Sequence, residues 1–350
     1  MHKIGILFLN GGSASTAILP TEIFAGTGTV WNALRGDDAE ERFEVTTASL
    51  DGEPVRVGPA IGLTPECAFD GLGDADLIFV PAGGMELADL IREGYCIDSV
   101  VAANREVVPW LRRWNAEGKQ IAGVCSGVAL LAAAGLLDGR RATTHWAVAE
   151  RYRRRFPAVD WQPEYLVTDA GDVYCGGGIN AAADLALYLV EKFCGREVAV
   201  KTAKSLLIEM PRTWQVAFAH LSVRCEHEDA PVRRAQEWLH AHYADDVRLE
   251  GLAAMVGMSG RNFARRFKQA TGQSPLGYLH ALRIATARRM LENGRRTVQE
   301  VMYECGYEDP IFFRKLFRRH TGLSPNEYRA RFGQGRSPVA VSYTHLTLPT

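Results

Sequence analysis

No stretch of the sequence approaches the ~20 consecutive apolar residues that a membrane-spanning helix needs. The apolar run at 4–9 is too short for a signal-peptide core and suits a first strand better. The cysteines, at 67, 96, 125, 175, 194, 225 and 305, include no C-x-x-C pair and no disulfide-like framework. That excludes a stapled secreted fold and points to a reduced, cytoplasmic setting with no membrane contact. Cys225 and His227 are a poor metal pattern, so the segment carrying them reads as solvated chain; no metal site and no cofactor are expected. What remains is an ordinary globular composition, 47% hydrophobic and 23% charged, in a chain of 350 residues that is long enough for two domains.

The near-zero net charge of −1 hides an asymmetry. Residues 231–332 carry 18 Lys+Arg against 10 Asp+Glu, and residues 1–230 carry 21 against 31. A basic segment behind an acidic body suggests a nucleic-acid-binding module. That segment also repeats itself. Leu249, Leu252, Ala253 and Val256 form an i, i+3, i+4, i+7 stripe followed by Gly257; Val298, Val301, Met302 and Cys305 form the same stripe followed by Gly306. Phe263 and Phe267 then match Phe313 and Phe317, Thr271-Gly272 matches Thr321-Gly322, Ser274-Pro275 matches Ser324-Pro325, and Tyr278 matches Tyr328. The offset grows by one between the stripes and the phenylalanines, so the second copy holds one extra residue in its turn.

Each copy predicts helix, glycine turn, helix, with the phenylalanines holding the second helix to the core. The other face of that helix is basic: Arg261, Arg265 and Lys268 in the first copy, Arg314, Lys315, Arg318 and Arg319 in the second. Ser259 is a candidate N-cap, and Ser324 with Glu327 a capping box. A helix from Pro275 to about Glu292 joins the copies over roughly 27 Å, near the ~34 Å between successive major-groove faces of B-DNA. The stretches "GMSGRNFARRF", "ALRIATARRML" and "CGYEDPIFFRKLFRRHTGLSPNEYRARF" resemble the AraC/XylS family of transcription regulators over about 231–332. The resemblance implies sequence-specific binding of double-stranded DNA by both second helices, through Ser259, Arg261, Asn262, Arg265, Lys268, Arg314, Lys315 and Arg318. Where many members have a small polar residue at the start of the second recognition helix, this chain has Pro310-Ile311.

In the first two-thirds, apolar strands alternate with helical stretches: "KIGILFL" before Asn10-Gly11-Gly12, "ADLIFVPAGG" ending at Gly83-Gly84, and "KQIAGVC" ending at Cys125. This pattern predicts an α/β fold, a doubly wound, mostly parallel sheet, followed by the all-α domain with two helix-turn-helix motifs. Ligands bind such folds at the carboxyl ends of the strands, where both glycine pairs and Cys125 fall. Gly83-Gly84 either offers N–H groups to an oxyanion or simply makes a tight turn. Gly123-Val124-Cys125-Ser126-Gly127 has the form of a nucleophile elbow with Cys in the Ser place, and the following helix N-terminus would favour a thiolate. His145 is the candidate base, and Glu22 is placed to approach the sulfur from the first crossover; an inert buried thiol and a packed histidine are the alternatives.

"AGVCSGVALLAAAGLLDGRRATTHW", "DLIFVPAGG" and "YCGGGINAAADLALYLVE" resemble the class I glutamine amidotransferase-like, or PfpI-type, superfamily over about 1–205. In that superfamily the elbow Cys works with a His and often an acidic residue, places that Cys125, His145 and Glu22 fit. Two departures weigh against catalysis: Ser126 stands where PfpI-type hydrolases have His, and the late His-x-Glu pair of amidotransferases is absent after Cys175. Together the resemblances imply a regulator and not an enzyme. Residues 1–210 would be the effector-sensing and dimerisation domain, 211–230 a linker, 231–332 the DNA-binding domain and 333–350 a tail. Glu22, Gly83, Gly84, Cys125, Ser126 and His145 would surround the effector. A homodimer that activates a catabolic operon together with RNA polymerase is expected, with amine or amino-acid catabolism the nearest hint. A PfpI-type hydrolase or deglycase fused to a DNA-binding module is the alternative, and a redox sensor using Cys125 a third reading. The last ten residues, "VSYTHLTLPT", match neither domain and read as a translated library adapter.

Overall fold

The computed structural model describes residues 1–58, 60–210, 214–215, 227–294 and 296–333; the expected adapter segment, most of the expected linker and Cys225 lie outside the described residues. The chain divides into two compact units, Met1–Ala219 and His220–Thr350.

The first unit is built on a seven-stranded sheet of β1 (His2–Leu7), β2 (Phe43–Ser49), β3 (Cys67–Ala68), β4 (Leu77–Val80), β5 (Gln120–Val124), β6 (Val167–Asp169) and β7 (Val173–Gly176), in the order β6-β7-β5-β4-β1-β2-β3. Every pairing is parallel except β6 with β7. The inner strands β4 and β7 are buried along their whole length because both faces of the sheet are covered. Ile78, Val80 and Ile121 point into one core with the helices α2 (Val107–Ala116) and α3 (Gly127–Ala133); their neighbours Leu77, Phe79, Ala122 and Val124 point into the other, against α1 (Ser15–Gly26) and α5 (Ala181–Cys194), while α4 (Ala149–Arg155) buries Tyr152 in the first core. This is the expected doubly wound arrangement.

The second unit is helical: α6 (Ala230–Ala241), α7 (Leu249–Met255), α8 (Gly260–Thr271), α9 (Pro275–Asn293), α10 (Val298–Glu304), α11 (Pro310–Thr321) and α12 (Pro325–Phe332). The repeat read from the sequence is a repeat in space. α7 and α10 have seven residues each, α8 and α11 twelve each, and four residues separate the first pair against five in the second. Phe263, Phe267, Phe313 and Phe317 are buried, and Tyr278 and Tyr328 meet Phe267 and Phe317 edge-on at 5.3 and 5.4 Å. Thr271 and Thr321, both buried, donate to the carbonyls of Phe267 and Phe317 at 2.8 Å and so close each second helix in the same way. Ser259 caps α8, and the Ser324–Glu327 capping box forms.

The copies are tied together by an arginine inside α9. Arg283, only 8% exposed, donates to the carbonyls of Tyr243 and Asp245 ahead of α7, at 2.6 and 2.8 Å, and to that of Gly306 in the second turn, at 2.9 Å. Its guanidinium also lies 5.1 Å from the ring centre of Tyr307. A side chain at Gly306 has no room: a Cβ there would stand 2.4 Å from the Ala244 carbonyl and 2.9 Å from Arg283. Removing the guanidinium strands three carbonyls, each costing about 1–3 kcal/mol if left unpaired and unsolvated. Arg283→Ala is therefore expected to lower the stability of the second unit by about 3 kcal/mol. Urea denaturation of the full chain, with the Trp238 region followed by hydrogen exchange, checks this; a loss below about 0.5 kcal/mol would contradict the clasp.

Candidate pocket and nucleic-acid interface

β5 ends at Val124, and the chain turns on Cys125, whose φ of +55° is one of only two positive values at non-glycine residues among the described residues. Such a conformation costs a side-chain-bearing residue about 1–3 kcal/mol and is retained where neighbours enforce it. Here they do. The Cys125 N–H donates to the Gly176 carbonyl at 3.0 Å, and the Ser126 hydroxyl both donates to the Gly83 carbonyl (3.0 Å) and accepts from the Gly83 N–H (3.1 Å). Gly127 must be glycine, because a Cβ would lie 2.4 Å from the Pro81 carbonyl. The elbow is thus clamped between the ends of β4 and β7, and Ser126 spends its hydroxyl on the clamp.

Above the elbow lies a cavity of about 640 Å³. Cys125, Ser126 and His145 line it, with Tyr95, Trp146 and Leu166 as apolar walls and Glu86, Asn180 and Gln215 as polar ones. Its size is that of a small-molecule site. Glu22, placed here from the sequence, is elsewhere. The buried stripe of α1 runs through Thr16, Ala17, Pro20, Ile23 and Phe24, which turns Glu22 out to solvent and away from the cavity. The carboxylate at the cavity wall is Glu86, two residues beyond the glycine pair after β4. Gly83 and Gly84 do not offer N–H groups to a ligand either: Gly83 gives its own to Ser126, and Gly84 gives its own to the Asn10 carbonyl at 2.8 Å.

The chemistry of the thiol also differs from the sequence expectation of a thiolate. Cys125 keeps part of its surface open to the cavity, but the protein packed around it pushes the thiol up to about 11. The α3 helix begins only at Gly127 and is seven residues long, too little to offset the desolvation. Burial lowers the pKa of His145, so the ring is neutral at pH 7. Its Nδ1 accepts the Ala147 N–H at 3.2 Å, which puts the ring proton on Nε2. Cys125 is thus a protonated thiol, and His145, on the same cavity wall, presents a bound acceptor and an N–H.

Gln215 was not foreseen. It lies in the stretch read as solvated linker, yet it is 3% exposed and its side chain makes four hydrogen bonds. Nε2 donates to the carbonyls of Thr144 (2.8 Å) and Tyr165 (3.0 Å) and to Thr143 Oγ1 (3.1 Å), and Oε1 accepts from the Trp146 N–H at 3.1 Å. Trp214 beside it stacks on Tyr165 at 4.5 Å. The only sequence signal was the Trp-Gln pair itself inside the stretch read as linker.

In the second unit, Arg261, Arg265 and Lys268 are exposed on the face of α8 opposite Phe263 and Phe267, and Arg265 donates to Asn262 Oδ1 at 3.0 Å. Arg266 is turned the other way and pairs with Asp229 at 2.9 Å. On α11, Arg314, Lys315, Arg318 and Arg319 are exposed. Here the helix is capped by Asp309, which accepts from the N–H groups of Ile311 (2.7 Å) and Phe312 (3.1 Å).

The thiol assignment is open to a direct check. At pH 7.5 Cys125 is almost wholly protonated, whereas exposed Cys96 is drawn down by a hydrogen bond with Ser99. Iodoacetamide is expected to label Cys96 well before Cys125, and Cys125 labelling is expected to rise only as pH climbs toward 11. Peptide mass mapping of a pH series reads both, and faster labelling of Cys125 at neutral pH would contradict the geometry.

The DJ-1/PfpI family profile matches residues 25–192, and the profile of a helix-turn-helix domain matches residues 252–331. The HTH-type transcriptional regulator CdhR of Pseudomonas aeruginosa is 27% identical over 284 residues, covering 81% of this chain and 80% of that protein. The HTH-type transcriptional regulator GlxA of Rhizobium meliloti is 29% identical over 306 residues, covering 83% and 94%. A solved AraC family transcriptional regulator from Pseudomonas putida superposes on 59% of this chain and 100% of its own, at 22% identity and a TM-score of 0.45. With both domain profiles matched in order, and HTH-type transcriptional regulators similar to it along most of its length, the chain is a transcription regulator built as a DJ-1/PfpI domain followed by an AraC-type helix-turn-helix domain.

Proposed function

We propose that the cavity over Cys125 binds a small-molecule effector, and that occupancy is passed to the DNA-binding unit through the chain segment that starts at Gln215. The single observation that carries this is the position of Gln215: it is part of the cavity wall and bonded to Thr143, Thr144 and Trp146 on either side of His145. A ligand that moves the 143–146 loop therefore acts on the residue from which the chain leads on to the second unit. Glu86 and Asn180 in a mainly apolar lining suit a small organic molecule with an apolar body and a hydrogen-bond donor such as an amine. In this reading residues 1–210 sense and dimerise, 211–230 link, and 231–332 bind DNA; the protein works in the cytoplasm as a homodimer and activates a catabolic operon through RNA polymerase. It performs no turnover, for want of a thiolate and a base.

A thermal-shift screen of metabolites on the full chain is expected to find a ligand that raises the transition of the first unit. Gln215→Ala is expected to keep that ligand and lose its effect on operator binding. An unchanged response in this variant would overturn the coupling, and amide or glyoxal-adduct hydrolysis that Cys125→Ala abolishes would restore the enzyme reading.

On the DNA side, exposed Arg261 sits on the first turn of α8, where base edges are read in helix-turn-helix proteins. Arg261→Ala is expected to cost ~1–3 kcal/mol of operator affinity and to relax preference at one base pair. Titrations at several salt concentrations separate this from a phosphate contact, which would weaken all sequences alike and flatten the salt slope; unchanged affinity for the operator would remove Arg261 from the interface.

A further inference from the structure

The two recognition helices carry the same scaffold and different tips. α8 and α11 start fifty residues apart, at Gly260 and Pro310, so Ile311 occupies the position of Arg261, Phe312 that of Asn262, Lys315 that of Arg265 and Arg318 that of Lys268. Ile311, Arg314, Lys315 and Arg318 lie at i, i+3, i+4 and i+7, a single exposed stripe. On that stripe Ile311 is 65% exposed, although the buried face of the same helix has Phe313 and Phe317 in place. Phe312 is less open, with its ring near those of His280 (5.7 Å) and Tyr307 (6.0 Å), so Ile311 is the outermost apolar group.

The first turn of α11 also has no hydrogen-bonding group to spare. Pro310 has no N–H, and the N–H groups of Ile311 and Phe312 are both taken by Asp309. The side chains of all three residues are without donors and acceptors. Guanine, adenine and cytosine show only donors and acceptors in the major groove, whereas thymine adds a methyl group. We infer that Ile311 reads the 5-methyl group of thymine by apolar contact, while Lys315 and Arg318 one and two turns on hold the backbone. One half of the operator is thus read by the hydrogen-bonding tip of α8 and the other by a methyl-sensing tip on α11.

This rests on the DNA-binding reading, and the test keeps the two apart. The full chain is used to select bound duplexes from a randomised pool, giving a site with two segments. Each thymine of the selected site is then replaced singly by deoxyuridine, which removes the methyl and nothing else. In the segment read by α11, at least one replacement is expected to weaken binding about fourfold, the worth of one buried methyl group. Ile311→Ala, a change at an exposed position, is expected to bind thymine and uracil there equally, with the other segment unaffected. Ile311→Arg is expected to move the preference at that position from thymine to guanine. Selection of a site in which no thymine-to-uracil change matters, or in which Ile311→Ala keeps the discrimination, overturns the inference and leaves DNA binding standing. Failure to enrich any site at all overturns the DNA-binding reading itself.

Discussion

The amide side chain of Gln215 is the constraint that fixes the 143–146 loop over the cavity. A glutamine that satisfies both polar atoms inside a protein, with four partners within 3.1 Å, is held far more firmly than the polar stretch around it suggests. Buried and paired, it costs little where it is; freed of its partners but left buried, it would cost about 1–3 kcal/mol. In the proposed coupling, that asymmetry would make the residue a two-position element. Either the 143–146 loop keeps its native shape and Gln215 stays in the wall, or the loop moves and Gln215 leaves for water. A ligand with different affinity for the two states shifts the balance by that difference and no more.

The elbow beneath the cavity combines a strained backbone with neighbours already committed to one another. The backbone at Cys125 is still strained, Gly127 still leaves space for Pro81, and the thiol still faces the cavity. The neighbouring polar groups are spent on the fold. Ser126 closes a pair of hydrogen bonds with Gly83, and His145 turns Nδ1 to its own backbone. Desolvation then raises the thiol with nothing cationic to oppose it. The result is an uncharged wall to the cavity.

The sheet, the elbow and the repeat were legible in the sequence because each is written by local rules. Uninterrupted apolar strands between helices, glycines on both sides of Cys125, and phenylalanines four apart before a Thr-Gly all act over a few residues. Glu22 was misplaced because its orientation depends on which stripe of α1 packs inward, and Pro20 with Ile23 and Phe24 decides that only in three dimensions. The raised thiol was missed for a similar reason: a helix N-terminus is visible in sequence, and the depth of protein around a sulfur is not. Gln215 and Glu86 enter the cavity from segments about 130 residues apart in the chain, and no spacing rule brings them together.

The second unit makes the opposite economy, since its local rules were duplicated and then allowed to diverge where they do not bear on folding. Everything that builds a copy is shared: the buried phenylalanine pair, the tyrosine against it, the threonine that closes the helix and the serine that caps the next. Arg283 fixes the two copies to each other by holding carbonyls from both, and Gly306 leaves it the space to do so. Arg261 and Ile311 are exposed at matching places outside this framework, so they can differ without cost to the core. Arg283 and the shared phenylalanine framework thus make the two copies one frame, on which the exposed residues of each second helix differ.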